Sequence, residues 1–307
     1  MENLKILSII VAYYPDRETL LALVDELRKQ VTEIIIVDNT PAENDNLWEI
    51  LRDRVDTYPL RILRLGKNLG VATAINVGID VAIIENFSHV LLSDQDSLPF
   101  PKMVSGLLQA ERVISDTGQR VGAVGPVYID TVTGIRFPFQ VQQHRKLFYS
   151  RRHANENAPD VETLCLISSG SLINISVFRD VDVMREDFFI DHVDVEWCHR
   201  AISKGYVLVG TSRGLMQHHM GDACLRAWFF GWHHLNGYSP TRLYYRFRNF
   251  TYLLRFSYIP FFWKVRASWH WLGNLYAHTV FSSDRKENLK AILSGIWDGL
   301  SGKMGVH

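Results

Sequence analysis

Two carboxylates separated by one residue follow a short apolar run in the segment Leu91–Ser97. If the run is a buried strand, Asp94 and Asp96 project from the same side of the backbone at its carboxyl end, because strand side chains alternate with a period of two. Open α/β sheets bind their ligands at that edge. Two like charges this close repel each other, so the pair favours a site that a divalent cation, Mg²⁺ or Mn²⁺, shares with a diphosphate. A solvated turn is the alternative interpretation of the spacing.

A second acidic cluster, Asp191, Asp194 and Glu196, surrounds a predicted helix start. A hydroxyl that attacks a substrate needs a carboxylate to accept its proton, so the cluster holds the candidate catalytic acids, with Asp194 as the candidate general base. Capping is the structural alternative for Asp194, since the exposed amides of a helix start stabilise negative charge. Arg200 follows Glu196 by four residues and is its predicted ion-pair partner.

Other candidates lie where strand-like runs end. Asp38 closes the run Ile34–Val37 and suits the donor groups of a nucleotide base or ribose, with a turn cap as its alternative. His218 and His219 follow another strand-like run, and one of them is a candidate third metal ligand because neutral imidazole binds Mn²⁺. With 12 histidines in the chain, a chance pair is the alternative.

The elements that must position these side chains alternate between strands and helices. Predicted strands cover residues 4–13, 34–37, 61–65 and 89–93, and apolar residues at helical spacing lie between them. This alternation predicts a doubly wound, mostly parallel α/β sheet. Asp16 predicts the cap of the first helix. The turn Gly66–Gly70 has neither a G-x-G-x-x-G spacing nor a P-loop, which disfavours a dehydrogenase or an NTPase.

The second half of the chain has a different pattern. Longer strands are predicted at residues 121–129 and 164–175, and the polar stretch 140–160 between them predicts a mobile loop. A helix is predicted from about Val193 to Lys204, ended by Gly205.

Charge and composition exclude several classes of protein. Lys+Arg and Asp+Glu both number 33, so no global field favours nucleic acid. Three widely spaced cysteines argue against a disulfide framework or a zinc module and fit a reducing compartment. No apolar run approaches the ~20 residues that span a bilayer, and Met1 leads directly into a strand pattern without a signal peptide. We therefore expect a cytoplasmic protein.

Residues 223–283 lack Asp and Glu but hold seven Lys/Arg and 19 of the chain's 36 aromatic residues. This composition predicts peripheral contact with an anionic membrane, which for a cytoplasmic protein is the inner face of the cytoplasmic membrane. An ordinary helical subdomain packed on the catalytic sheet is the alternative. The final helix has an apolar face from Leu289 to Leu300, which could contact either the membrane or the catalytic sheet. Six of the seven basic residues are closely interleaved with Tyr, Phe and Trp, and they are Arg242, Arg246, Arg248, Arg255, Lys264 and Arg266.

The ordered series of these motifs resembles the family 2 glycosyltransferases of GT-A fold, and within them the bacterial rhamnosyltransferases. The resemblance covers about Leu4 to Asp222. Most of the wider family carries Glu-Asp where this chain has Val193-Asp194, which looks like the rhamnosyl subgroup and leaves Asp191 as a rival base. The motifs are Val11–Pro15, Val37–Asn39, Asn68–Gly70 with Ala74 and Asn76, Ser93–Ser97, Ser169–Ser171, Phe189–Arg200 and His218–Gly221.

The resemblance implies a GT-A catalytic domain over residues 1–222, with a nucleotide-binding half of about 1–98 and an acceptor half of about 99–222, and a C-terminal helical region over 223–307. It implies that Asp94 contacts the donor sugar or ribose, that Asp96 binds the metal on the diphosphate, and that Asp194 deprotonates the acceptor. The implied metal ligands are Asp96, Asp94 and His218. The implied donor-binding residues are Ala12, Tyr13, Tyr14, Pro15, Asp38, Asn68, Gly70, Ala74, Asp94, Gln95 and Gly170.

The activity implied by the resemblance is an inverting, metal-dependent transfer of L-rhamnose from dTDP-L-rhamnose to a cell-surface glycan or glycolipid, such as a lipopolysaccharide core, O-antigen or capsule intermediate. Such a transfer is a single displacement and requires no covalent nucleophile. One alternative is a transferase of the same fold with a galactofuranosyl, glucosyl or N-acetylglucosaminyl donor. Another is a catalytically silent nucleotide-binding scaffold.

Overall fold

Strands and helices alternate through the first hundred residues, which confirms the predicted α/β class. The computed structural model describes residues 4–44, 47–55, 58–130, 134–142, 149–218 and 223–307. The first elements are β1 (Ile6–Ala12), α1 (Arg17–Leu27), β2 (Glu33–Asp38), α2 (Leu47–Val55), β3 (Leu60–Arg64), α3 (Val71–Ile84) and β4 (His89–Asp94). The strands are parallel in the order β3-β2-β1-β4, so all four end at one edge of the sheet.

A second group of strands extends the sheet beyond β4. The next elements are β5 (Leu98–Pro99), α4 (Met103–Ser115), β6 (Val121–Asp130), β7 (Phe139–Gln142), β8 (Tyr149–Arg152), β9 (Asp160–Thr163), β10 (Leu172–Asn174), α5 (Ile175–Val181), α6 (Val193–Ser203) and β11 (Val207–His218). The full order is β3-β2-β1-β4-β10-β6-β11-β5, with β9 paired to β11. Because β10 is antiparallel to both β4 and β6, and β11 is parallel to β6, β11 ends at the same edge as β4.

Two predictions for this half of the chain are wrong. Only residues 172–174 of the predicted strand 164–175 are extended in the sheet, because Gly170, at φ +81°, turns the backbone just before them. The stretch 140–160, predicted as a mobile loop, contributes to the antiparallel hairpin β7–β8. The residues of this hairpin are mostly polar, with Gln140, Gln142 and Ser150 among them, so composition alone did not reveal the strands.

Helices cover both faces of the sheet. Leu7 and Ile9 point into a core shared with α3, α5 and α6, whereas Ile6 and Ile10 point into a core shared with α1, α2 and α4. This alternation follows from the period of two in β1. The carboxyl edge of the sheet lies between the two cores, and the polar residues Asp38 and Asp94 end their strands there. Asp16 caps α1 as predicted, accepting a hydrogen bond from Thr19 N at 2.9 Å.

The C-terminal region begins with a two-stranded hairpin and continues as three helices. Its elements are β12 (Ala223–Trp228), β13 (Trp232–Gly237), α7 (Pro240–Leu253), α8 (Phe261–Val280) and α9 (Arg285–Ser301). The first core continues from the sheet through α7 and α8 to α9. Gly295 and Gly299 of α9 face the α7 carbonyls of Tyr244 and Arg248, where a Cβ would collide. None of the helices in the described residues is both long and apolar enough to cross a bilayer.

Much of the surface that the sequence predicted for membrane contact is interior. Tyr244, Tyr245, Phe247 and Phe250 of α7 are buried, and so is Arg248, with 1% exposure. Arg248 donates to the carbonyl oxygens of Asp187 and Phe188, at 3.2 and 3.1 Å. For α7 the alternative prediction, a helix packed on the catalytic sheet, describes the structure. Composition could not distinguish these buried side chains from exposed ones.

Candidate active site

A group that could hold a metal ion lies where β4 and β11 end. One ligand atom each from Asp94, Asp96 and His218 lie within 4.8 Å of one another, and these are the three predicted ligands. Two carboxylates and one imidazole are donors that suit Mn²⁺, and the carboxylates suit Mg²⁺. The donor set therefore fits the predicted cofactor. His219 lies outside the described residues.

Two buried serines connect the ends of this metal group. The Asp94 amide donates to Ser169 Oγ at 3.1 Å, and Ser169 Oγ donates to Ser97 Oγ at 2.8 Å. Ser97 Oγ lies 2.6 Å from His218 Nδ1. Partners of this kind fix the orientation of metal ligands. The sequence placed both serines in motifs but assigned them no role, because the chain of hydrogen bonds joins three distant segments.

The electrostatics of Asp94 favour a bound cation. Burial and the charge of Asp96 together raise the pKa of its carboxyl to about 7, although the charge of Arg242 opposes them. The Arg242 side chain belongs to α7, so the C-terminal region reaches the predicted metal site. A divalent cation would reverse this balance by stabilising both carboxylates.

The loop after β1 forms one wall of the cleft. Tyr13 and Tyr14 are exposed, with ring centroids 4.7 Å apart in an edge-to-face arrangement. Gln95 fixes this loop: its Oε1 accepts from Tyr13 N at 2.7 Å and its Nε2 donates to Tyr13 O at 3.0 Å. Gln95 thus joins the predicted donor-binding loop to the carboxylate pair.

Asp38 and Asn68 organise the neighbouring rim. Asp38 is almost fully buried, and its Oδ1 accepts a hydrogen bond from Thr40 N at 3.0 Å. One of its two carboxylate oxygens therefore caps the turn, as the alternative interpretation predicted. Asn68 Oδ1 accepts from Asn39 Nδ2 at 2.9 Å and from Gly70 N at 3.0 Å. Gly70 has φ +89°, and a Cβ there would meet Phe189 at 2.5 Å. Only glycine fits this approach between the turn and the loop before α6.

Three apolar residues among the predicted donor-binding residues have buried side chains. Ala12 and Ala74 have no exposed surface and belong to the two hydrophobic cores, and Pro15 is also buried. Packing beneath the cleft explains why these positions hold small apolar residues. Gly170, also predicted, has φ +81°, and a Cβ there would meet Met216 at 2.7 Å and Pro126 at 2.8 Å. It allows the close approach that places Ser169 against Asp94.

The two acids that the sequence left as rival bases have opposite environments. Burial raises the pKa of Asp194 to about 6, and the nearby charges of Asp191 and Asp94 contribute to the rise. Burial alone would raise the pKa of Asp191 too, but Arg246 and Arg242 outweigh it and hold that pKa below its ordinary value. Their guanidinium nitrogens lie 2.7 and 3.2 Å from the Asp191 carboxylate.

Glu196, the third acid of the predicted cluster, is fully buried. Its carboxylate accepts two hydrogen bonds from Arg200, both at 2.9 Å, and one from Tyr258 Oη at 2.5 Å. The predicted partner is therefore present. The bond from Tyr258 joins α6 to the C-terminal region, so Glu196 anchors the two together, and its catalytic role stays a prediction.

Helix α7 also holds the loop that precedes Asp194. Phe189, Asp191 and His192 all have positive φ, which is strained for residues other than glycine. Asn249 Nδ2 lies 2.8, 2.7 and 2.9 Å from the carbonyl oxygens of Phe188, Ile190 and Asp191. Sequence reasoning missed Asn249 and the active-site position of Arg242, since both lie more than 40 residues after the loop.

Solved glycosyltransferase structures share this architecture. The crystal structure of GalNAc-T7 with UDP, GalNAc and Mn²⁺ superposes with a TM-score of 0.62 at 12% identity, covering 99% of this chain and 57% of that one. S. aureus TarS superposes with a TM-score of 0.55 at 15% identity, covering 98% of this chain and 49% of that one. At these identities the likeness shows the GT-A fold.

Sequence comparison identifies the family. The chain is 29% identical over 307 residues to the dTDP-rhamnosyl transferase RfbF of Shigella flexneri, which covers 99% of this chain and 98% of that protein. The family model described as "Glycosyl transferase family 2" matches residues 8–181, which contain the carboxylate pair Asp94 and Asp96. The chain therefore belongs to glycosyl transferase family 2.

Proposed function

We propose that this glycosyltransferase transfers L-rhamnose, with inversion, from dTDP-L-rhamnose to a hydroxyl of a cell-surface glycan or glycolipid. The observation that carries the proposal is its similarity, along nearly the whole of both chains, to a protein named dTDP-rhamnosyl transferase. The structural neighbour with UDP and GalNAc is only 12% identical, so its ligands do not favour another donor here.

The metal group supports a divalent ion at the donor diphosphate. Asp94, Asp96 and His218 would hold Mg²⁺ or Mn²⁺ at the carboxyl edge of the sheet. When bound, the ion supplies positive charge to the departing diphosphate. Tyr13 and Tyr14 present exposed rings beside this group, suited to stacking on the thymine base. Asp38, at the end of the neighbouring strand, would contact the base or ribose.

We propose Asp194 as the general base. A base must be ionised at working pH and still attract a proton, and a carboxyl with a pKa near 6 meets both needs. Asp191 is a poorer base because Arg242 and Arg246 stabilise its ionised form. We propose that Asp191 instead positions the loop and directs Arg242 toward the leaving group.

A donor screen tests this function. The purified protein is incubated with Mn²⁺ and, in turn, dTDP-L-rhamnose, UDP-galactofuranose, UDP-glucose and UDP-N-acetylglucosamine, and release of nucleoside diphosphate is measured without acceptor. We expect the fastest release from dTDP-L-rhamnose, and none from the Asp96→Ala variant. Faster release from a UDP-sugar would redirect the assignment to that donor. Tight binding of dTDP with no turnover of any donor, even with a glycan acceptor present, would favour the silent scaffold.

A further inference from the structure

The hairpin β12–β13 projects aromatic side chains into solvent. Phe230 at its tip is 100% exposed. Trp228 and Trp232 flank the tip as a cross-strand pair, and each is about half exposed. Exposed aromatic groups concentrated in one place typically mark a surface that another apolar phase covers.

The backbone conformation at the tip is unfavourable for an aromatic residue, so the stability of the fold does not explain why Phe230 is there. Phe230 has φ +54°, a conformation that glycine or asparagine adopts at lower cost. Its ring makes one ring contact, with Trp228, at a centroid distance of 5.9 Å. Strained residues of this kind concentrate at functional positions.

The exposed aromatic surface continues from the hairpin onto α8. The Phe229 ring contacts Tyr276 of α8 at a centroid distance of 5.3 Å, and Trp232 contacts Phe281 at 6.1 Å. Exposed residues of α8 recur at helical spacing from Trp269, in one stripe that includes Tyr276. We call the combined surface the aromatic face, and it consists of Trp228, Phe230, Trp232, Trp269, Leu272, Tyr276 and Val280.

The charges around the aromatic face favour an anionic partner. The hairpin and α8 lie within residues 223–283, which contain no Asp or Glu. Arg226 is exposed on the same side of the hairpin as Trp228, and its guanidinium lies 4.5 Å from the centroid of the Trp232 ring. Exposed Arg285, Lys286 and Lys290 begin α9, where Asp284 and Glu287 partly offset them.

We propose that the aromatic face docks on an anionic lipid bilayer, with the hairpin tip at the headgroup boundary and Arg226 against lipid phosphates. Tryptophan, phenylalanine and arginine are the residue types that bind this boundary. The hairpin also borders the active site: β11 ends at His218 just before it, and Arg246 covers the ring of Tyr238 just after it, at 4.0 Å. Docking would bring a lipid-linked acceptor to the cleft, although the proposal does not depend on the donor's identity.

Vesicle flotation tests the proposal without any substrate. Wild-type protein should float with phosphatidylethanolamine vesicles that contain phosphatidylglycerol, and added salt should weaken the binding because it screens Arg226. Phe230→Ser combined with Trp232→Ser should lower the partition coefficient at least about tenfold, since burial of each aromatic ring is lost. Trp269→Ser with Leu272→Ser should also lower it. Ile84→Ser is the matched control, because Ile84 is 77% exposed on α3, outside the aromatic face.

Fold and assembly are measured on the same samples. The variants should keep the wild-type unfolding temperature and dTDP affinity, so that lost flotation reports the surface alone. The proposal fails if the wild type does not float, or if the double hairpin variant floats as well as Ile84→Ser does. It also fails if light scattering shows a wild-type dimer that the hairpin variant converts to monomer, because the face would then belong to a second copy of the chain.

Discussion

Arg246 Nη1 lies 2.7 Å from Asp191 Oδ1, and this ion pair gives two acids three residues apart in the sequence opposite electrostatic environments. A carboxylate paired with arginine holds its proton weakly. Asp194 has no such pair in the described residues and accepts a hydrogen bond from Val195 N at 2.8 Å. Helix α7 supplies Arg246 and Arg242, and these two side chains hold the pKa of Asp191 below its ordinary value while that of Asp194 is raised.

Replacing Asp194 with asparagine should remove the base and leave the helix start intact. The amide oxygen of asparagine can still accept the hydrogen bond from Val195 N, whereas asparagine cannot take up a proton, so we expect kcat to fall at least about 10²-fold. Steady-state kinetics with dTDP-L-rhamnose and acceptor would measure the loss. Asp191→Asn is the matched comparison and should retain the acid limb of the pH profile. Near-normal turnover in Asp194→Asn, with that limb lost in Asp191→Asn, would make Asp191 the base.

The raised pKa of Asp194 predicts opposite pH trends for activity and stability. The ionised base is needed, so kcat/KM should rise with pH through about 6. The folded pKa lies above the unfolded value of about 3.9, so ionisation of Asp194 costs folding free energy. This cost is absent below about pH 4, grows until about pH 6 and stays constant above it.

The same linkage predicts that Asp194→Asn stabilises the protein at neutral pH. The gain should be at most ~3 kcal/mol at pH 8, corresponding to a shift of about two pKa units, and should vanish near pH 4. Urea unfolding of wild type and variant at the two pH values would measure it. Equal differences at both pH values would mean that the pKa of Asp194 is not raised in the folded protein.

Replacing Asp96 with alanine should remove the response to divalent metal. Asp96 is exposed and follows a buried strand, so its loss should spare the core and the unfolding temperature. We expect turnover to fall well beyond tenfold, since a required hard oxygen ligand is lost. Activity would be titrated against Mn²⁺ and Mg²⁺. A variant that keeps more than about a tenth of wild-type turnover would exclude the metal-binding role.

Replacing Ser169 with alanine should weaken metal binding without removing a ligand. The substitution breaks the hydrogen bonds to Asp94 N and Ser97, so both ends of the metal group lose orientation. We expect the dissociation constant for Mn²⁺ to rise about tenfold. Calorimetry with Mn²⁺ and dTDP gives this value independently of turnover. Ser203→Ala, at an exposed serine of α6, is the control and should bind as wild type does.

The sequence predicted the fold of the first hundred residues well because the signals there are local. β2 is a short β-branched run that ends at Asp38, and β4 ends at Asp94, so period and length sufficed to place both acids at one edge. His218 was predicted from the sequence as a metal ligand, with the adjacent His219 left open as the alternative. Its proximity to Asp94 depends on the pairing of β11 with β6 and of β10 with β4, which no local pattern encodes.

The surroundings of Asp191 were harder to predict because the side chains there meet across long sequence separations. Arg242 is 51 residues from Asp191, its ion-pair partner. In the sequence, Arg242 and Arg248 are cations among aromatic residues, a composition shared by a membrane surface and a buried helix. Burial of Arg248 among the carbonyls of Asp187, Phe188 and Gly305 is a tertiary feature.

The contacts of Asn249 with the loop before α6 bear on how the enzyme can be engineered. Val71, the first residue of α3, donates its amide to the Phe189 carbonyl at 2.7 Å, so the donor-side turn rests on the loop that Asn249 holds. Gly305, near the last residue, donates to Asp187 O at 2.8 Å and fastens the same loop from the other side. A chimera that joins residues 8–181 to the tail of another transferase would lose this support. Exchange of acceptor specificity should therefore transfer the loop, α7 and the final residues together.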